Sequence, residues 1–186
     1  SHIYNFVSGD MALGSHTISR STLETGFANT LVDGAIYTMT IAATDAATNA
    51  ATPISNTSIA YDGTAPVISL LTPLSGSVVN GGFSANYTLS EAVSSGTITF
   101  TQTGGTADGK SPHTYPFAVG DKTSGAHSIT KTALEAGFTA HFPLVDGAIY
   151  TMTISATDAA SNAATVSNIG IIYDITTPTV SSVSSS

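Results

Sequence analysis

Seven oxygen-bearing side chains stand at related places in this 186-residue chain. Asp62, Glu91, Asp158 and Asn162 form one set, and Asp33 is a further member. Asp174 and Asp146 occupy the equivalent places of Asp62 and Asp33 later in the chain. Carboxylates and carbonyls suit a hard divalent cation, which takes about six to eight oxygen ligands. The same residues also have a local use. Asp four positions before Asn in a tight turn caps its own backbone, and Asp before Gly is ordinary turn chemistry. Both readings stay open from the sequence, and the two uses are compatible.

Other chemistry finds less footing. There is no Gly-x-Ser-x-Gly elbow and no phosphate-binding glycine loop. His2 and His113 recur, as do His16 and His127, but no close His-x-x-x-His pair exists for zinc. Thr97, Thr99, Thr101 and Thr103 make one outward row. A single row reads as a solvated strand face rather than a two-dimensional binding array. Four basic residues against twelve acidic ones leave a net charge of −8, so nucleic acid is excluded as a partner. The chain has no cysteine, and no apolar stretch approaches the length of a membrane span. The expectation is a protein that is not an enzyme.

The elements that must position these residues are written twice. Residues 31–52 read LVDGAIYTMTIAATDAATNAAT, and residues 144–165 read LVDGAIYTMTISATDAASNAAT. Only two positions differ. A period of roughly 112 residues is that of a whole domain able to bury its own core. Accordingly, 1–61 is expected to be the C-terminal part of one module, 62–173 a complete module, and 174–186 the first strand of a third. A part-module exposes strand edges and apolar surface. The natural polypeptide is therefore expected to continue at both ends, or a neighbouring chain to supply the missing strands.

Within 62–173 the dominant signal is alternation. Residues 66–73 form a first strand bounded by prolines, and 75–82 a turn cluster. Residues 83–89 place Phe83, Ala85, Tyr87 and Leu89 on one face. Residues 96–103 turn Ile98 and Phe100 inward. A loop covers 104–110, and a short strand 127–130. Residues 132–137 read as one helical turn with a Thr132/Glu135 capping box and a closing Gly137. Residues 148–156, with apolar Ile149, Met152 and Ile154, make the strongest strand. A tight connection at 158–162 and a last strand at 166–173 follow. Short strands with frequent turns and almost no helix predict an all-β antiparallel sandwich. Asp-Gly followed by Tyr150, or by Tyr37 in the first copy, predicts a tyrosine corner.

The pattern Leu-Val-Asp-Gly-x-x-Tyr-Thr-x-Thr-x-x-Ala-Thr-Asp-Ala-Ala-x-Asn-x-Ala, then Tyr-Asp-x-Thr-x-Pro, resembles the bacterial immunoglobulin-like (Big-type) tandem repeats of large secreted and surface adhesins. One departure stands out: Thr48 and Ser161 occupy a turn position usually held by Gly. The resemblance implies tandem immunoglobulin-like sandwiches with a one-turn helix in a connection. In that topology Asp62, Glu91, Asp158 and Asn162 converge on one end of a module, with Asp33 of the preceding module facing them. Calcium at such junctions would stiffen the linkers. The implied function is an extracellular, cell-surface spacer that projects a distal binding domain. Its partners would be adjacent modules of the same chain and neighbouring copies. Two alternatives are a self-assembling surface-layer or filament subunit, and a carbohydrate-binding accessory module.

Overall fold

A computed structural model describes residues 1–181. The chain divides into two compact units, Ser1–Thr64 and Ala65–Ser186. In the first, helix α1 (Arg20–Gly26) precedes strands β1 (Ile36–Ile41) and β2 (Ile54–Ala60). The two strands pair antiparallel, with Ile36 opposite Ala60 and Ile41 opposite Ile54. Their side chains are largely exposed.

The second unit holds β3 (Ile68–Thr72), β4 (Val78–Val79), β5 (Ser84–Leu89), β6 (Ser95–Gly105) and β7 (His113–Pro116). A 3₁₀ turn at Val119–Lys122, β8 (Gly125–Thr130), helix α2 (Lys131–Gly137), β9 (Ala148–Thr157) and β10 (Ala163–Tyr173) follow. Five strands form one sheet in the order β4-β10-β9-β6-β7, and three form another in the order β3-β5-β8. All pairs are antiparallel except β4 with β10. Among the described residues the protein is thus an all-β fold with two short helices.

Period-two patterning builds the core. Successive side chains of a strand point to opposite faces, so β9 alternates buried and half-buried residues along its whole length. Tyr150, Met152 and Ile154 of β9 pack with Ala85, Tyr87 and Leu89 of β5 and with Ile98 and Phe100 of β6. Ile171 and Tyr173 of β10, Leu134 of α2 and Phe138 complete the cluster. Each large apolar side chain removed from water contributes about 1.5–3 kcal/mol. Ile149 lies on the outward face, so the apolar set of this strand is Tyr150, Met152 and Ile154.

Four details depart from the sequence reading. The first two are strands that it lacks: β7, four residues ending at Pro116, and β4, two residues inside the expected turn cluster. Both are too short to show a period. The third is the cap of α2. Its N-cap is Thr130, whose hydroxyl accepts from the Ala133 N–H. Glu135 does not close a capping box. Its carboxylate accepts from the Leu144 N–H at 3.0 Å and pairs with Lys131 at 2.7 Å. α1 is built alike, with Ser19 as N-cap and Glu24 accepting from the Leu31 N–H. The last helical residues, Gly137 and Gly26, are glycines because the rings of Tyr115 and Tyr4 lie where a Cβ would stand. The fourth concerns the expected third-module strand at 174–186. Residues 174–181 form no strand, and 182–186 lie outside the described residues.

The threonine row is not isolated. Thr99 bonds Thr114 across to β7 at 3.2 Å, Thr153 of β9 bonds Ser167 of β10 at 2.9 Å, and Ser155 bonds Thr165 at 3.0 Å. Such cross-strand hydroxyl pairs stabilise the sheet by about 0.2–1 kcal/mol each.

Candidate functional site

Glu91 follows β5 by two residues, and Asp158 follows β9 directly. Each places a carboxylate oxygen within 4.8 Å of the other. Asp158 is buried, and Asn162 caps it twice. The Asn162 backbone N–H donates to Oδ1 at 2.9 Å, and its amide NH₂ donates to Oδ2 at 2.9 Å. Burial pushes the Asp158 carboxyl up, but the Asn162 donors and neighbouring backbone N–H groups outweigh it and hold it below the ordinary value. Asp158 therefore stays ionised, and a carboxylate offers about four lone-pair positions. Two carboxylates are donor chemistry that suits a hard cation.

The turn itself explains why Asp and Asn stand four apart. In the first unit Asp45 and Asn49 repeat the bonds at 2.8 and 2.9 Å. Turn capping is thus present in both copies. Thr48 and Ser161, at the position where glycine was expected, have φ of 68° and 74°. This left-handed backbone is the conformation that glycine adopts without a Cβ penalty.

The corner aspartates accept hydrogen bonds from the segment that follows the last strand of each copy. Asp33 accepts from the Gly63 N–H at 2.6 Å and from the Thr64 hydroxyl at 2.7 Å. Asp146 accepts from the Ile175 N–H at 2.7 Å and from the Thr176 hydroxyl at 2.7 Å. In each case the backbone N–H, then the threonine hydroxyl, lowers the aspartate pKa. Asp62 and Asp174 accept from the N–H two residues on, at 3.0 and 2.9 Å. Asp33 and Asp62 belong to the first unit. Glu91, Asp146, Asp158, Asn162 and Asp174 belong to the second.

The tyrosine corner is formed in both copies. The Val145 N–H donates to the Tyr150 hydroxyl at 2.9 Å, and the Val32 N–H donates to Tyr37 at 2.8 Å. Asp108 was not singled out from the sequence, because its loop reads as a surface turn. It is buried, and its Oδ2 meets the Tyr150 hydroxyl at 2.6 Å and His113 Nε2 at 2.6 Å. Burial raises the Asp108 pKa, but the Tyr150 and His113 bonds bring it below the ordinary value. With Tyr150 and His113 also buried, this knot holds the core rather than facing a substrate. The only hint in the sequence was the coincidence of a corner tyrosine with a recurring histidine. Asp121 was missed as well. It accepts from Tyr115 at 2.8 Å, and burial followed by this bond pushes the phenol up to about 12. Tyr4 donates to Asp10 in the same way in the first unit, at 2.7 Å.

No helix among the described residues is long and apolar enough to cross a membrane. No protein-family profile and no curated protein matches the chain.

Proposed function

We propose that this chain is a stretch of an extracellular spacer, built of immunoglobulin-like modules of the bacterial adhesin type, that holds a distal binding domain away from a cell surface. The observation that carries the reading is the clamp made twice. Asp33 grips Gly63 and Thr64, and Asp146 grips Ile175 and Thr176, each with a backbone N–H and a hydroxyl at 2.6–2.7 Å. Each clamp immobilises the segment leading out of a repeat, and Pro66 or Pro178 follows with its fixed φ. A spacer needs this restriction of the linker. A catalyst would have no use for repeating it.

Calcium is part of the proposal, with Glu91 and Asp158 as ligands. Calcium bound only to the folded state raises its stability by mass action. The test is calorimetry of the chain with calcium and with chelator. A melting temperature that rises with calcium in the wild type but not in Glu91→Gln supports the site. Identical curves for the wild type in both conditions remove calcium from the reading. The spacer reading is tested separately. Asp33→Ala should broaden the distribution of distances between labels placed in the two units, measured by electron spin resonance. An unchanged distribution would discard the clamp as a stiffening device.

A further inference from the structure

The second unit joins its opening segment to its last strand along one seam. β4 and β10 run parallel, with Val78 beside Ile172 and Val79 beside Tyr173. The Ile172 N–H donates to Ser77 O and the Asp174 N–H to Val79 O, both at 2.9 Å. Further back along both segments, the Gly76 N–H donates to Ile169 O at 2.9 Å, and the Ile169 N–H donates to Ser75 Oγ at 3.0 Å. Asn168 closes the run at its start. Its side-chain amide donates to Pro73 O at 2.7 Å and to Leu71 O at 3.4 Å. Residues 73–79 are thus stitched to residues 168–174.

Direction gives this seam its meaning. Tension on the chain draws the residues before β3 one way and the residues after β10 the other. Because β4 and β10 are parallel, these pulls act along the strands in opposite senses. The seam is loaded in shear, and its hydrogen bonds share the load. An antiparallel pairing of the same two segments would put both points of pull at one end, and the bonds would open one after another. The exit is anchored as well, since Asp146 accepts from the Ile175 N–H and the Thr176 hydroxyl.

We propose that the second unit bears tension, and that the seam between residues 73–79 and 168–174 sets the force at which it opens. The inference deepens the spacer reading and rests on it for the source of the pull, since a chain held at a surface and at a distal ligand is stretched between them. The resistance itself belongs to the unit's own hydrogen bonds. Forced unfolding is governed by the unfolding rate rather than by equilibrium stability. A bond inside the seam therefore matters more under force than a bond of equal thermodynamic weight elsewhere. Asn168 and Ser75 lie in the seam. Thr130, which caps α2 away from it, is the comparison.

The experiment holds the full chain at constant force between handles attached through Ala65→Cys and Thr177→Cys, the chain having no cysteine of its own. A single cooperative opening of the second unit is expected. Asn168→Ala should open roughly tenfold faster or more, because the carbonyl of the buried Pro73 loses its donor. Ser75→Ala, at an exposed position, should also open faster, and it carries the test if Asn168→Ala does not fold. Thr130→Ala lowers thermal stability but should open under force at the wild-type rate. The proposal is overturned if the seam variants and Thr130→Ala accelerate opening equally. It is also overturned if the wild type extends gradually, with no cooperative step. Failure of the spacer reading shows in a different measurement, the label distances of Asp33→Ala, so the two can fail separately.

Discussion

Ser161 and Thr48 show how one side chain can sit in the wrong backbone well for a reason visible only in the fold. Each precedes the Asn that caps the turn, and each holds a positive φ that favours glycine. Ser161→Gly is expected to stabilise the second unit by up to about 1 kcal/mol, read as a higher melting temperature, because the strain of a left-handed non-glycine residue is relieved. The added backbone freedom of glycine in the unfolded chain subtracts from the gain. At Asp108 the expected direction is reversed. Asp108→Ala leaves the Tyr150 hydroxyl and the His113 ring buried without their acceptor. Leaving a buried hydrogen-bonding group without its partner costs about 1–3 kcal/mol, which denaturant unfolding would measure as a lower midpoint.

The pH dependence belongs to the same scale. Asp10, Asp33, Asp45, Asp108, Asp146 and Asp158 all have lowered pKa values in the folded protein. The unfolded chain, with ordinary values near about 3.9, binds more protons at acid pH. The stabilisation they contribute is complete above that value and is lost as pH falls through the folded values. The melting temperature should hold from neutral pH to about 5 and then drop. Asp146→Asn should reduce the slope of that drop.

At the scale of elements, alternation was legible and termini were not. The β5, β6 and β9 strands are read directly from residues two apart, since a sheet with one buried face imposes a period of two. β4 and β7 escape because two or four residues carry no period; β4 exists through its pairing with the distant β10, and β7 through its pairing with the preceding β6. The helix is capped two residues before the expected Thr132, because Thr130 ends β8 in an extended conformation and its hydroxyl reaches Ala133. Thr130→Ala should therefore cost about 1 kcal/mol, whereas Thr132→Ala should have little effect. Glu135 binds the Leu144 N–H instead of its own helix, so Glu135→Ala should loosen the connection into β9. Hydrogen exchange at the Leu144 amide would report it.

At the scale of the whole molecule, the clamp is made twice: Asp33 holds Gly63 and Thr64, and Asp146 holds Ile175 and Thr176. The apolar residues Met152 and Ile154 are buried, whereas Met39 and Ile41 of the matching strand β1 are exposed. The candidate site was half legible. The Asp158–Asn162 cap and the corner aspartates stand in repeated motifs, so the sequence singled them out. Their partners did not show. Asp146 faces Ile175 and Thr176 of the segment after β10, and Asp158 comes near Glu91 from another strand's end.

The sequence by itself determined that the chain is β-rich, that it repeats, which strand faces are apolar, and that its chemistry is acidic and oxygen-based. These properties are local or periodic, and one strand's pattern suffices to reveal them. Only the tertiary structure decided that Asp108 is buried under Tyr150 and His113, that the corner aspartates grip the outgoing chain, and that the same apolar face is covered in one unit and open in the other. Each of these depends on which distant segments meet, and that is set by long-range packing, which leaves no periodic trace along the chain.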